Sequence, residues 1–513
     1  MLRKIRILLA AICFIGVTLL FLDFTGTIHA WLGWLAKIQL LPAFLALNFG
    51  VVAAMVLLTL VLGRIYCSVV CPLGVMQDIM AWCGRKAKKN RYSYSPAKRW
   101  LRVTVLVLFV AAMVAGFVSA AALIAPYSAY GRIAQNLFAP LWQAGNNLLA
   151  YAAERMDSYA FYSVDVWIKS IGTFAVAVAT FAVLWVLAWR NGRTWCNTIC
   201  PVGTVLGFVS KWSLLHPVID TQKCNGCGKC ARNCKAACID SKHHERDYTR
   251  CVVCMDCLEQ CKQRAIIFEP RHVTRAIERA ERISAEREAA ETGSGNSDEA
   301  AGKEGMTRRK FLSLTAMLAA SAAVRAQEKS VDGGLAAIEE KKIPRRQTPV
   351  VPAGAQSLRH FSQHCTGCQL CVSVCPNGVL RPSQRLDSLM QPEMSFERGY
   401  CRPECTRCSE VCPTGAIRRT DRADKSSTQT GHAVWVRENC VPLTVGDSCG
   451  NCARHCPSGA ISMVLSDPEN HDSLRIPAVD TERCIGCGAC ENLCPARPFA
   501  AIYVEGHEVH RTI

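Results

Sequence analysis

Residues 224–234 read Cys-Asn-Gly-Cys-Gly-Lys-Cys-Ala-Arg-Asn-Cys, so that Cys224, Cys227 and Cys230 stand at x2 spacing and Cys234 follows after x3. A [4Fe–4S] cube needs four thiolates around a small body. Three cysteines at this spacing let one loop wrap three corners, and a distant cysteine supplies the fourth. Gly226 and Gly228 permit the close wrapping that side chains would obstruct. The run repeats at Cys251, Cys254, Cys257 and Cys261. Where two such runs share a module, the fourth cysteine of each serves the other cluster. This assigns Cys224, Cys227, Cys230 and Cys261 to one cube, and Cys251, Cys254, Cys257 and Cys234 to a second. Lys235 and Lys262 stand where a proline usually follows the fourth cysteine, and Cys238 is surplus, read as an unliganded thiol.

Further along, four more runs occur: Cys365, Cys368, Cys371, Cys375; Cys401, Cys405, Cys408, Cys412; Cys440, Cys449, Cys452, Cys456; and Cys484, Cys487, Cys490, Cys494. Each ends in Cys-Pro, at Pro376, Pro413, Pro457 and Pro495. Together the 24 cysteines predict six [4Fe–4S] clusters. Spacing does not fix which of the later runs pair; the expectation is first with fourth and second with third. Structural zinc uses separated C-x2-C pairs, and repeated triplets disfavour it. The whole chain holds 31 cysteines in 513 residues, too long for a small disulfide scaffold.

Before these runs the chain is apolar. Spans at about 7–22, 43–62, 103–125 and 171–189 each approach the roughly 20 residues needed to cross a bilayer. Basic residues precede the first and third and follow the second and fourth, which predicts an N-in, C-in membrane domain of four transmembrane helices. The net charge of +18 gathers beside these spans and so points to a membrane surface, with no nucleic-acid partner. The outer loops, about 23–42 and 126–170, hold Trp31, Trp34, Tyr127, Tyr130, Trp142, Tyr151, Tyr159 and Trp167, read as interfacial aromatics. Residues 137–153 read as a loop helix, either lying on the outer interface or packed in place.

The predicted organisation has five parts. Residues 1–215 form the four-helix membrane domain and 216–270 a cytoplasmic two-cluster module. Residues 271–305 read as a linker, helical to about 291 and then Gly/Ser/acidic. Residues 306–326, opening Met306-Thr307-Arg308-Arg309-Lys310-Phe311, read as a twin-arginine export signal or a fifth membrane anchor. Residues 327–513 form a four-cluster domain that export would place in the periplasm. The fold class is therefore an α-helical membrane domain with α+β ferredoxin-like modules, in a bacterial inner membrane. A cut near Ala326 would free the last domain; an intact signal would tether it.

Two further motifs repeat. Tyr66-Cys67-Ser68-Val69-Val70-Cys71-Pro72 follows the second span and Trp195-Cys196-Asn197-Thr198-Ile199-Cys200-Pro201 the fourth, both at the cytoplasmic boundary. On a helix, positions i and i+4 share a face, so each motif would present two thiols side by side. Cys67, Cys71, Cys196 and Cys200 are candidates for redox chemistry, metal ligation or a quinone site; helix-end packing is the bland alternative.

At these motifs residues 1–270 resemble the NapH-type membrane ferredoxin-like proteins, and residues 306–513 resemble the NapG/MauM-type exported ferredoxins. The resemblance implies a quinol dehydrogenase component that passes electrons from the quinone pool to a periplasmic oxidoreductase such as nitrate reductase. Haem is not expected: no C-x-x-C-H motif occurs and the four spans contain no histidine. A mobile quinol is the economical carrier across roughly 30 Å of hydrocarbon. Asp23 and His29 are proton-accepting candidates, or plain interfacial polar residues. Quinone reduction from a cytoplasmic donor is the reverse reading, and a maturation factor for a metalloenzyme is the other class.

Overall fold

The computed structural model describes residues 2–88, 92–270 and 339–513. The linker and the twin-arginine segment lie outside the described residues. Helix α1 (Leu2–Leu22) is 21 residues long. At about 1.5 Å per residue it spans roughly 30 Å, a bilayer's hydrocarbon depth. Among the described residues, Ile171–Asn191 is the other helix long and apolar enough to cross. The remaining two apolar stretches form shorter helices. The second gives α2 (Phe49–Leu62), 14 residues. It ends at Gly63, whose φ of 74° only glycine adopts freely, followed by the buried Arg64. The third gives Arg99–Val114, then a break at Gly116 before the short helix Val118–Ala122.

The loop at 126–170 departs from the interfacial reading. Every residue of the helix Pro126–Ile133 is buried, Tyr127 and Tyr130 included. They are held by packing against α1: Phe21 meets Tyr127 at 5.9 Å and Phe14 meets Tyr130 edge-on at 5.6 Å. Trp31, Trp34, Trp142, Tyr151 and Tyr159 do stand exposed. Trp167 is covered by Arg381 and Arg398 of the last domain. The loop helix at 137–153 is observed as Ala139–Glu154 after a π-turn over Ala134–Phe138.

The module at 216–270 is closed by Leu215–Ile219 paired antiparallel with Ile266–Pro270, with both cysteine runs between these strands. The last domain repeats the plan. A hairpin joins Leu380–Pro382 to Pro392–Met394, another joins Ile461–Leu465 to Arg475–Val479, and Thr428–Trp435 pairs with Ile502–Thr512.

The two cysteine-rich regions sit at opposite ends of α1. At its N-terminus Arg3 bonds Asp256 at 2.7 Å and also Glu259 of the first module. At its C-terminus, Phe21 and the Cys368 carbonyl both crowd Gly131, where a Cβ would fall 2.3 Å from that carbonyl. Asn136 Nδ2 donates to Gln369 Oε1 at 2.9 Å, and Lys169 Nζ to the Val372 carbonyl at 3.1 Å.

The first module is locked to the bundle by an ionic node. Asp78 accepts from Arg193 at 2.8 Å, pairs with Arg6, and lies 3.6 Å from Lys235, which also reaches Asp256 at 3.0 Å. The absent proline at 235 thus has a structural reason, since its place is taken by a lysine that the node uses. Burial pushes the Asp256 carboxyl up, but Lys235 and Arg3 outweigh this and hold it below the usual carboxylate range. A depressed folded value means the contribution is full above about pH 4 and fades as pH falls through the depressed value. Asp78→Asn leaves Arg6 and Arg193 without their carboxylate at one buried site and Lys235 with Asp256 alone. It should cost about 3–5 kcal/mol and release the module, seen as a lower unfolding midpoint and new protease cleavage near residue 216.

Candidate metal centres

The middle cysteine of each tight triplet is flanked by left-handed backbone. Gly226 and Gly228 (φ 65° each), Val253 and Met255 (50°, 63°), Gly367 and Gln369 (57°, 66°), and Gly486 and Gly488 (72°, 78°) occupy the flanking positions. This curls each loop back on itself around its middle cysteine, the backbone geometry of an anion-binding nest.

In the first module Cys224, Cys227, Cys230 and Cys261 line one cavity, and Cys234, Cys251, Cys254 and Cys257 line another. The surplus Cys238 shares the second cavity, its sulfur 3.6 Å from that of Cys234. Arg246, missed in the sequence, is half-buried there and donates to the Cys257 sulfur at 3.4 Å.

In the last domain Cys375, Cys401, Cys405 and Cys408 line one cavity; Cys456, Cys484, Cys487 and Cys490 line another. Cys412 neighbours Cys365, Cys368 and Cys371, and Cys494 neighbours Cys440, Cys449 and Cys452. The pairing is first with second and third with fourth, which overturns the expected first-with-fourth arrangement. The cause is local: a hairpin between the two runs of each pair folds one back on the other. Fourth cysteines accept backbone amides, from Ala265 to Cys261, Ile417 to Cys412 and Ala501 to Cys494, at 3.3–3.4 Å. Lys425, also missed, is buried and donates to the Arg402 carbonyl at 2.7 Å beside Cys401 and Cys405. Its signal in sequence was only a capped helix, with Asp421 accepting from the Asp424 amide. Among the described residues no three His, Cys, Asp or Glu converge tightly enough for one bare ion. Thiolates spread around a cavity fit a cube better than a single zinc.

The two C-x-x-x-C-P motifs do not form the continuous helices expected of i and i+4 thiols. Tyr66–Val69 and Thr194–Thr198 are single turns, and new helices α3 (Pro72–Lys88) and α4 (Pro201–Ser210) start at the prolines. A proline disfavours helical backbone at the residue before it, and Cys200 accordingly sits extended at φ −65°, ψ 117°. All four thiols are buried. The motifs interlock with a swap: Arg64 donates to the Cys196 carbonyl at 3.2 Å, and Arg193 to the Cys67 carbonyl at 2.6 Å. Gly74 and Gly203 make room, since a Cβ on them would fall 2.2 and 2.3 Å from the Cys67 and Cys196 carbonyls.

Asp23 accepts the amides of Thr25, Gly26 and Ile28 and faces His29 Nδ1 at 3.1 Å, so it organises its own turn at the end of α1.

These features define an iron–sulfur protein of ferredoxin type, a class that transfers electrons. The pattern described as "4Fe-4S binding domain" matches residues 44–90 and 172–217, and that described as "4Fe-4S dicluster domain" matches 364–416, 400–460 and 446–497. The chain is 25% identical over 225 residues to the "Putative electron transport protein YccM" of Escherichia coli, covering 43% of this chain and 55% of that protein, about half its length. It is 26% identical over 231 residues to the "Ferredoxin-type protein NapH" of Escherichia coli, covering 44% of this chain and 67% of that one. It is 34% identical over 194 residues to the "Methylamine utilization ferredoxin-type protein MauM" of Paracoccus denitrificans, covering 36% of this chain and 84% of that one. No solved structure matches. The chain belongs to the NapH/MauM-type iron–sulfur ferredoxin proteins.

Gly203→Ala should push the Cys196 carbonyl and Arg64 apart and lower the unfolding midpoint by several degrees. Gly145→Ala, where a Cβ meets nothing within 4 Å, should leave it within a degree or raise it.

Proposed function

We propose that this chain carries electrons from the quinol pool of a bacterial inner membrane to a periplasmic oxidoreductase. In this reading it holds six [4Fe–4S] clusters on the 24 cysteines and four membrane crossings. The observation that carries it is the seating of cysteine-rich regions at opposite ends of the membrane-length α1. One-electron transfer is the chemistry such cubes supply when bound. The protein's part is to hold them in sequence. Cys368 abuts the bundle at Gly131; Cys412 and Cys375 exchange places between the first two cysteine groups; and the Cys401 amide bonds the Cys487 carbonyl at 2.9 Å, joining the second group to the third. Cys494 and Cys456 make the same exchange between the last two. In this reading the order is linear and leads away from the membrane, ending at the group of Cys440, Cys449, Cys452 and Cys494, with the exposed Val445 between the first two in sequence. Two cations, the half-buried Arg246 and the buried Lys425, favour the extra negative charge of a reduced site. The remaining parts of the proposal are export of the last domain by the segment at 306–326 and N-terminal and first-module residence in the cytoplasm.

Anaerobically purified chain mixed with a quinol analogue should show cluster EPR signals at turnover rates. No quinol-driven reduction, with the clusters present and reducible by dithionite, would defeat the quinol role. Replacing Arg308 and Arg309 by lysine should make the last domain resistant to protease added to the periplasmic side. Unchanged cleavage would contradict the export assignment.

A further inference from the structure

We propose that Cys238 is an alternative fourth ligand in the second cavity of the first module, so that either Cys234 or Cys238 holds the same corner of a cluster there. This rests on the reading above that a [4Fe–4S] cluster fills that cavity.

The chain repeats one turn after its fourth cysteines. Residues 234–239 read Cys-Lys-Ala-Ala-Cys-Ile, and residues 261–266 read Cys-Lys-Gln-Arg-Ala-Ile. Both turns close in the same way. The Ala237 amide bonds the Cys234 carbonyl at 2.9 Å, and the Arg264 amide bonds the Cys261 carbonyl at 3.2 Å. Ala237 and Arg264 are both left-handed, at φ 49° and 51°. After Cys375, Cys412 and Cys456 the same position is glycine: Gly378, Gly415 and Gly459, at φ 60°, 74° and 62°. The residue that follows is turned inward. Ala265, Val379, Ala416 and Ala460 stand there, none more than 2% exposed. Cys238 is their counterpart in the first run, and it is buried too. The Ala265 amide donates to the Cys261 sulfur at 3.3 Å, and the Cys238 amide does the same for Cys234. Packing at this place is therefore met by a small apolar side chain; what Cys238 adds is a sulfur.

That sulfur stands at a ligand position. Cys238 lines the cavity with Cys234, Cys251, Cys254 and Cys257, and its Sγ is 3.6 Å from Cys234 Sγ. Two sulfurs bound to one tetrahedral metal at about 2.3 Å lie roughly 3.8 Å apart. Sulfurs on different corners of a cube point away from each other and lie farther apart. Cys234 and Cys238 thus cover one corner between them. The turn is held in place from both sides: Arg250, paired with Asp247 at 2.9 Å, donates to the Ala237 carbonyl at 2.8 Å, and the Asp247 amide bonds the Cys238 carbonyl at 2.9 Å. Arg246 donates to the Cys257 sulfur at 3.4 Å and has Cys251 and Cys238 in its electrostatic neighbourhood, so its charge serves a thiolate at this corner.

In the exchange, Cys238 passes its thiol proton to Cys234 as its own sulfur takes the iron. One iron–sulfur bond forms, one breaks, and no electron moves. The corner keeps a thiolate whichever side chain is engaged. Cys261 has no such substitute: alanine stands four residues on, and among the described residues its cavity is lined by Cys224, Cys227, Cys230 and Cys261 alone of the cysteines.

Iron and sulfide assays and native mass spectrometry of the anaerobic full chain test this against four variants. Cys234→Ala should keep the wild-type cluster count, and its reduced EPR spectrum should show one signal shifted at undiminished intensity. Cys238→Ala should also keep the count, and it should fold, since alanine fills this place at 265, 416 and 460. Cys234→Ala combined with Cys238→Ala should lose the cluster that each single variant keeps, whether or not its neighbour goes with it. Cys261→Ala should lose a cluster by itself. Loss of a cluster in Cys234→Ala, from a wild type that holds it, would overturn the proposal and leave the cluster reading standing. Retention in the double variant, or in Cys261→Ala, would overturn it equally, because a fifth thiol would then be unnecessary. A wild type one cluster short, and unchanged by the double substitution, would overturn both the proposal and the reading beneath it.

Discussion

A cube has four corners, and one tight turn reaches three. That constraint shapes every cysteine-rich part of this chain. The triplet loop must invert its backbone twice around its middle cysteine, which the left-handed pairs at 226 and 228, 253 and 255, 367 and 369, and 486 and 488 accomplish. The fourth sulfur must come from a second run, so runs are held in pairs. The short antiparallel strands between and around them, such as Leu215–Ile219 with Ile266–Pro270, exist to bring a far cysteine back. Sheet is consequently scarce and always two-stranded among the described residues.

A second constraint joins the modules to the bundle. Charges taken out of water have to be matched, and Asp78 is the place where helix α1, the segment at Arg193 and the first module meet. Lys235 occupies the position a proline would fill and gains a partner on each side of the interface. At the other face the fit is steric and amide-based: Gly131 against Cys368, Asn136 against Gln369.

Much of this was legible in the sequence. Cysteine spacing is a short-range geometric requirement, so the triplets and the grouping around Cys224 and Cys251 could be read directly. Pairing of the later runs could not, because it depends on hairpins such as Leu380–Pro382 with Pro392–Met394 that the spacing does not encode. The thiol motifs were misread as helical because the prolines after Cys71 and Cys200 act on the preceding backbone. Tyr127 and Tyr130 looked interfacial because composition does not reveal that their helix folds inward against Phe14 and Phe21. Arg246 carried no signal and Lys425 only that of a capped helix; a cation set beside sulfur is visible only once the chain has folded.

The account stands on inorganic cubes bound by these cysteines. Mössbauer spectroscopy of the anaerobically isolated, iron-57-labelled chain tests it most directly. The account predicts that cluster-type doublets of sulfur-coordinated iron dominate and shift on reduction. Isolated mononuclear ferrous or ferric iron, or a chain whose cysteines hold zinc and give no iron signal, would contradict it.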